Sequence, residues 1–330
     1  MSSPKITLCV MTCNQGSFLA ACLESVLAQR RRPDRLVIAD NGSTDATGAV
    51  LESFAARHGQ RPDISVHRLA YVGGPSALIN ALAPRLEGEI VVFQAGDDIA
   101  EPERVGRLEA LFDADPAVLA AHSAVTVIDP AGRIIETLEY DLPQREQARH
   151  FARVQGYVLG AGLAIRRRLL DAFPPLDDGA YEDTILPFRA ALLGRVGYVP
   201  ERLVRYRRHH GNVTHALHDI SSTEAARRAT QLSLARLRHI AKLRRDDLGH
   251  LLHRQPERRN ELAPLYRVID ASLEEAEVSH ALLAPRLSRR LWALRRTAAA
   301  GAAPRSLLLA LTSALAPGLY LAYRRARKRR

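Results

Sequence analysis

Short apolar runs alternate with amphipathic stretches through the first hundred residues. Residues 5–12 (KITLCVMT) have the composition of a buried strand and stop at the polar stretch Asn14-Gln15-Gly16-Ser17. Leu19, Leu23, Val26 and Leu27 then recur at helical spacing, which predicts a helix from a Ser17 cap to about Gln29. A second run, Leu36 to Ala39, ends on Asp40, and beyond Asn41-Gly42-Ser43-Thr44-Asp45 a helix carries Val50, Leu51 and Phe54 on one face. Ile64 to Leu69 predicts a third strand, Ser76 to Leu86 a helix, and Ile90 to Phe93 a fourth strand running into Gln94-Ala95-Gly96-Asp97-Asp98.

This β-α-β-α order predicts an α/β fold with a mainly parallel sheet flanked by helices. In such sheets ligands collect beyond the carboxyl ends of the strands. The polar clusters at Thr12 to Asn14, Asp40 to Asp45 and Asp97 to Asp98 all follow strand ends, so this topology brings them into one crevice. Further on, the pattern predicts a helix near Pro102 to Leu111, a strand from Val118 to Val127, a Gly-rich apolar piece from Gly156 to Ile165 and a helix from about Thr184 to Gly194. Past Val213 the chain becomes rich in Ala, Leu and Arg with almost no strand signal, and a domain boundary is expected near residue 216. Residues 1–215 are read as the catalytic domain and 216–330 as a basic, mainly helical region.

Composition sharpens this division. Of 330 residues, 47% are hydrophobic, enough for a full core, and the net charge is +11. The excess is confined to the C-terminal third, where 23 Lys and Arg face 10 Asp and Glu; the first two thirds are near neutral. Cys9, Cys13 and Cys22 fit neither a zinc site nor a disulfide framework, which suits a reducing compartment. The N-terminal apolar run is too short for a secretory signal, so the expected location is cytoplasmic.

A diphosphate bound in such a crevice calls for a hard divalent cation held by one or two carboxylates and by phosphate oxygens. Asp97 and Asp98 supply carboxylates of this kind, although an isolated Asp-Asp pair is ordinarily a turn. The attacking hydroxyl needs a separate base. Glu182 and Asp183, at the start of a helix with Ile185, Phe188 and Leu192 on one face, are candidates, and simple capping is the alternative for both.

Three blocks in order, residues 10–47, 74–105 and 180–214, resemble the family 2 glycosyltransferases, which are inverting enzymes of the GT-A (Rossmann-like) fold. The resemblance covers roughly residues 5–215. It implies that Thr12, Asn14 and Asp40 hold the base and ribose of a nucleoside-diphosphate sugar donor. Asn41, Ser43 and Asp45 form the loop beneath the nucleotide. Asp97 is implied as the last acidic position of the metal motif, with Asp98 beside it, and His209 as a further contact to the metal (Mg²⁺ or Mn²⁺) or the diphosphate. Arg207 is implied to meet phosphate charge, and Asp183 of the Glu182-Asp183 pair to be the catalytic base. Three departures stand out: Ala95 at the first acidic position of the metal motif, Cys13 in place of Tyr, and Ile79-Asn80 in place of Arg-Asn.

Residues 222–254 read as a helix with Leu234, Leu237, Ile240 and Ala241 on one side and arginines on the other. Leu307 to Tyr323 is apolar, is interrupted by Pro317-Gly318 and runs into an arginine-rich end, so it suits an interfacial or re-entrant anchor on an anionic membrane surface better than a spanning helix, with a buried terminal helix or a homo-oligomer contact as the alternative. On the anchor reading the protein is peripheral at the inner face of the plasma membrane, and the acceptor is a glycan or lipid-linked glycan of the cell envelope. The competing readings are a nucleotidyltransferase, which would carry a basic Gly-rich loop after the first strand, and a catalytically silent assembly subunit, to which Ala95 points. A nucleic-acid partner is not expected, since the basic third lacks a zinc finger, an aromatic platform or a recognition helix.

Overall fold

The computed structural model describes residues 5–142, 146–212, 223–281 and 287–299. The elements in chain order are β1 (Ile6–Thr12), α1 (Gly16–Leu27), β2 (Arg35–Asn41), α2 (Thr47–His58), β3 (Ile64–Leu69), α3 (Pro75–Leu82), β4 (Ile90–Ala95), β5 (Ile99–Ala100), α4 (Arg104–Ala114), β6 (Val118–Ile128), β7 (Ile134–Leu138), α5 (Gln147–Ala152), β8 (Ala164–Arg166), α6 (Arg168–Asp171), α7 (Glu182–Leu193), β9 (Arg195–Arg207), α8 (Thr223–Arg254), α9 (Arg259–Ala281) and α10 (Leu287–Ala299). The chain divides into two compact units. One comprises Met1–Ala152, Gly156–His209 and Asp246–Arg259, and the other Arg153–Gln155, His210–Arg245 and Asn260–Arg330.

The first unit is built on a nine-stranded sheet of order β3-β2-β1-β4-β8-β6-β9-β5, with β7 paired to β6. Strands β3, β2, β1 and β4 are mutually parallel and β6 is parallel to β9, while β8 runs antiparallel to both β4 and β6. The fold is thus α/β with a mostly parallel sheet. Ile6, Leu8 and Val10 of β1 pack with Leu36 and Ile38 of β2, Ile90 and Val92 of β4, and the buried faces of α1, α2 and α4. β1 lies between β2 and β4, with Thr12 in register with Asp40 and Met11 with Ala95, so the polar ends of all three strands emerge side by side.

Helix α1 starts one residue before the expected Ser17 cap, with Gln15 ahead of it and no side-chain capping bond. The longest strand, β9, carries a Pro at position 200 and exposed charged residues, and its pairing with β6 shifts register, which masks its period. In the second unit, α9 buries Leu262, Leu265, Ile269, Ser272 and Ala276. Arg245 pairs there with Asp270, and Arg238 with Glu277 at 2.7 Å. Among the described residues no helix is long and apolar enough to cross a membrane. The apolar segment at 307–323 and its basic end lie outside the described residues.

Candidate active site

The β1 and β2 ends are tied by their own polar side chains. Asn14 adopts φ 53°, the left-handed region that Asn tolerates better than most residues. Its Oδ1 accepts from Thr44 N at 2.8 Å, and its own N–H donates to Ser43 Oγ at 2.8 Å. Asp40, buried, accepts from the Ser43 N–H at 3.1 Å and from the Ser43 hydroxyl, with Arg68 Nε 3.9 Å from its other oxygen. Asp45 accepts from Gly16 N at 3.0 Å and Thr47 N at 2.9 Å. Burial pushes the Asp45 carboxyl up, but bonds from the Thr47 hydroxyl and N–H and the Gly16 N–H outweigh it and hold the group below the ordinary range. Asn41 faces the next loop: its Nδ2 donates to Gly73 O at 2.8 Å and its Oδ1 accepts from Val72 N at 3.0 Å. Thr12 Oγ1 and Gln15 Oε1 are buried with no hydrogen-bond partner among the described residues. Both converge on Gly96, where an added Cβ would come within 2.7 Å of each. The Gly after Ala95 is therefore a condition of the close approach of β1 and β4 at this corner.

At the end of β4, Asp97 Oδ2 lies 3.0 Å from His209 Nε2, and both side chains are largely buried, at 7% and 12% exposure. Asp98 accepts the Arg207 N–H at 2.8 Å through Oδ1. Burial, reinforced by the Asp97 charge, raises its carboxyl well above the usual range. The Arg207 side chain makes backbone contacts that the sequence did not imply. Its Nε donates to Asp97 O at 2.9 Å and its Nη1 to both Asp129 O and Pro130 O at 3.2 and 2.9 Å, while the guanidinium lies over the Phe18 ring at 4.7 Å. Those contacts make it a clamp on the Asp97 backbone. Phe18 also packs against the His209 ring, centroids 5.0 Å apart.

Glu182 and Asp183 open α7, at the positive end of its dipole. Asp183 O accepts from Val158 N at 3.1 Å, and the segment passes so close that a Cβ on Gly160 would meet Glu182 Oε1 at 3.1 Å and Asp183 Oδ2 at 3.2 Å. Tyr206 of β9 relates the two acidic groups. Burial raises its phenol first, and the negative charges of Asp98, Asp97 and Asp183 push it the same way.

Arg104 was not legible as part of this centre. It is fully buried in α4, donates to Gln94 Oε1, to Phe93 O at 2.7 Å and to Ala161 O at 2.9 Å, and is pushed down to about 10 by burial against the pull of Asp98. Its helical position reads as surface, and only the charge-rich EPER string hints at more. Gln29 likewise holds the start of α4, accepting from Val105 N at 3.0 Å and donating to Glu101 O at 2.8 Å. A cavity of about 340 Å³ lined by Arg30, Glu101, Arg107, Glu201 and neighbouring residues includes none of the expected site residues.

Known proteins resemble this chain in sequence and in fold. The uncharacterized glycosyltransferase alr2836 of Nostoc sp. is 26% identical over 216 residues, covering 63% of this chain and 66% of that protein. The chain spans about two thirds or less of the length of the curated relatives it matches. Among solved structures, S. aureus TarS 1-349 in complex with UDP-GlcNAc superposes with a TM-score of 0.52 at 18% identity, covering 91% of this chain and 93% of that one. The mannosyltransferase PcManGT from Pyrobaculum calidifontis, in complex with GDP-Man and Mn²⁺, gives 0.54 at 20% identity, covering 97% and 83%. These likenesses carry the fold. Membership rests on the family model for glycosyl transferase family 2, which matches residues 7–173, a little over half of the sequence, so the chain belongs to that family.

Proposed function

We propose that the protein transfers a sugar from a nucleoside-diphosphate sugar to an acceptor hydroxyl with inversion, assisted by a divalent cation. The observation that carries this is the pairing of Asp97 Oδ2 with His209 Nε2 at 3.0 Å just past β4, next to the strand ends that carry Thr12 and Asp40. The complexes of TarS with UDP-GlcNAc and of PcManGT with GDP-Man support a nucleotide-sugar donor.

In this reading Asp40, Thr12 and Asn14 take the nucleoside, and Ser43 and Asp45 keep its loop in place. The donors available for a metal are an oxygen of Asp97 and a nitrogen of His209. No group of three or more His, Cys, Asp or Glu is placed to hold a metal among the described residues. Two protein ligands, with diphosphate oxygens and water, suit Mg²⁺ or Mn²⁺, which bind nucleotides through a few carboxylates. Such an ion supplies charge stabilisation for the departing diphosphate. Asp183 takes the acceptor proton as the hydroxyl attacks the anomeric carbon from the face opposite the leaving group, which inverts the configuration. Glu182 sits beside it at the mouth of α7, and Arg207 holds the Asp97 backbone. The C-terminal apolar and arginine-rich sequence supports a membrane-associated glycan or lipid-linked glycan acceptor at the cytosolic face.

Asp183→Asn tests the assignment. Turnover is expected to fall by at least about 10²-fold with donor affinity nearly unchanged, since only proton removal is lost. Full activity in this variant would remove Asp183 from the role.

A further inference from the structure

The loop that leads into the proposed base is laced to α3. Asn80 pairs with the Leu176 backbone in both directions, its Nδ2 donating to the carbonyl at 2.6 Å and its Oδ1 accepting from the N–H at 2.9 Å. Ser76 Oγ, buried, donates to Ala180 O at 2.6 Å. At the start of α3, Gly74 N donates to Asp178 Oδ1 at 2.7 Å, where the helix dipole favours an anion. Leu176 and Ala180 are themselves buried, and Ala180 stands two residues before Glu182. On the other side, the loop preceding α3 is gripped by Asn41, through Gly73 O and Val72 N.

Asn41, beside Asp40, thus holds residues 72 and 73, and the same continuous stretch of chain, through Gly74, Ser76 and Asn80, holds residues 176–180. Helix α3 is a stiff link, since Leu78, Ile79 and Leu82 are sunk in the core. A backbone held at both Leu176 and Ala180 has little freedom to move the residues that follow, and small displacements of a base cost rate steeply.

We propose that Asn80 and Ser76 are positioning residues for the Glu182-Asp183 pair, and that α3 transmits nucleotide binding at the Asp40-Asn41 corner to that pair. The proposal rests on the donor and base assignments above. Asn80 acts through main-chain hydrogen bonds and touches no substrate, so its removal changes where Asp183 sits and leaves nucleotide contacts alone.

Hydrogen exchange on the full chain, with and without UDP or GDP plus Mn²⁺, tests this independently of turnover. In the wild type, nucleotide slows exchange across residues 176–184. In Asn80→Ala, exchange there is at least tenfold faster and no longer responds to nucleotide, while nucleotide affinity stays within about twofold. Asn80→Asp keeps the acceptor for Leu176 N and falls between the two. With UDP-GlcNAc or GDP-Man as donor, Asn80→Ala lowers kcat about tenfold or more at unchanged donor KM. Ser76→Ala gives the same pattern and serves if Asn80→Ala does not fold. Protection of 176–184 that is equal in wild type and variants, or absent from the wild type, overturns the proposal. If Asp183→Asn stays active while Asn80→Ala loses the exchange response, the base assignment fails and the link through α3 stands.

Discussion

His209 Nε2 and Asp97 Oδ2 stand 3.0 Å apart although 112 residues separate them in the chain. One follows β9 and the other β4, and the Arg207 clamp on the Asp97 backbone holds the two loops together. If the pair holds a cation, chelation with EDTA abolishes transfer and added Mn²⁺ restores it. His209→Ala raises the Mn²⁺ concentration needed for half-maximal rate by tenfold or more. Activity that survives exhaustive chelation would refute the metal role.

The turn at Asn14 combines a left-handed backbone with a side chain that accepts from Thr44 N. Asn14→Ala loses the bond and keeps the strain, so it is expected to destabilise by about 1–2 kcal/mol. Asn14→Gly recovers the strain component, because glycine adopts positive φ freely. Urea unfolding of the two variants separates these contributions; equal losses would show that the hydrogen bond alone matters.

Helix α7 is secured at its core side by a two-pronged ion pair. Arg189 Nε and its terminal nitrogen each lie 2.9 Å from an Asp247 oxygen, with side-chain exposures of 6% and 5%. Asp247→Ala leaves a buried guanidinium without its counter-charge and is expected to cost about 3–5 kcal/mol. The double variant Arg189→Met, Asp247→Leu loses much less, which denaturant titration of all three proteins would register.

His122, in β6, is buried against Tyr198, ring centroids 5.1 Å apart, and its Nδ1 has no hydrogen-bond partner among the described residues. Burial pushes its imidazole down to about 4 from an ordinary 6.5. Between these values the unfolded chain takes up a proton that the folded chain refuses, so stability is complete above about pH 6.5 and declines as pH falls towards 4. From pH 7 to pH 5 the contribution lost is on the order of 2 kcal/mol. His122→Phe should flatten this part of the stability–pH curve; an unchanged slope would place the proton uptake elsewhere.

Much of the catalytic unit could be read from one-dimensional pattern. The first four strands are short runs rich in apolar residues and the helices between them each carry one buried face, so β1 to β4 and α1 to α4 appear where the apolar residues put them. That topology also brings Thr12, Asp40 and Asp97 to a common edge, because adjacent parallel strands must end together. The acid pair at 182–183 was visible as a helix start, and the family resemblance singled out His209.

Tertiary structure decided what depends on partners distant in the chain. β9 carries no clear period, and its place is set by pairing with β6 and β5. That Arg207 also holds the backbone carbonyls of Asp97, Asp129 and Pro130 emerges only once those loops are in place. Arg104 reads as a surface arginine on a helix, yet it is enclosed because β4 and the 160–162 turn close over it. Residues Asp246–Arg259 belong to the catalytic unit although their composition matches the basic region around them. The periodicity of a chain reports which face of an element is dry, a local property. Which polar group satisfies which other is a property of the folded whole, and it cannot be assigned until the strands are in place.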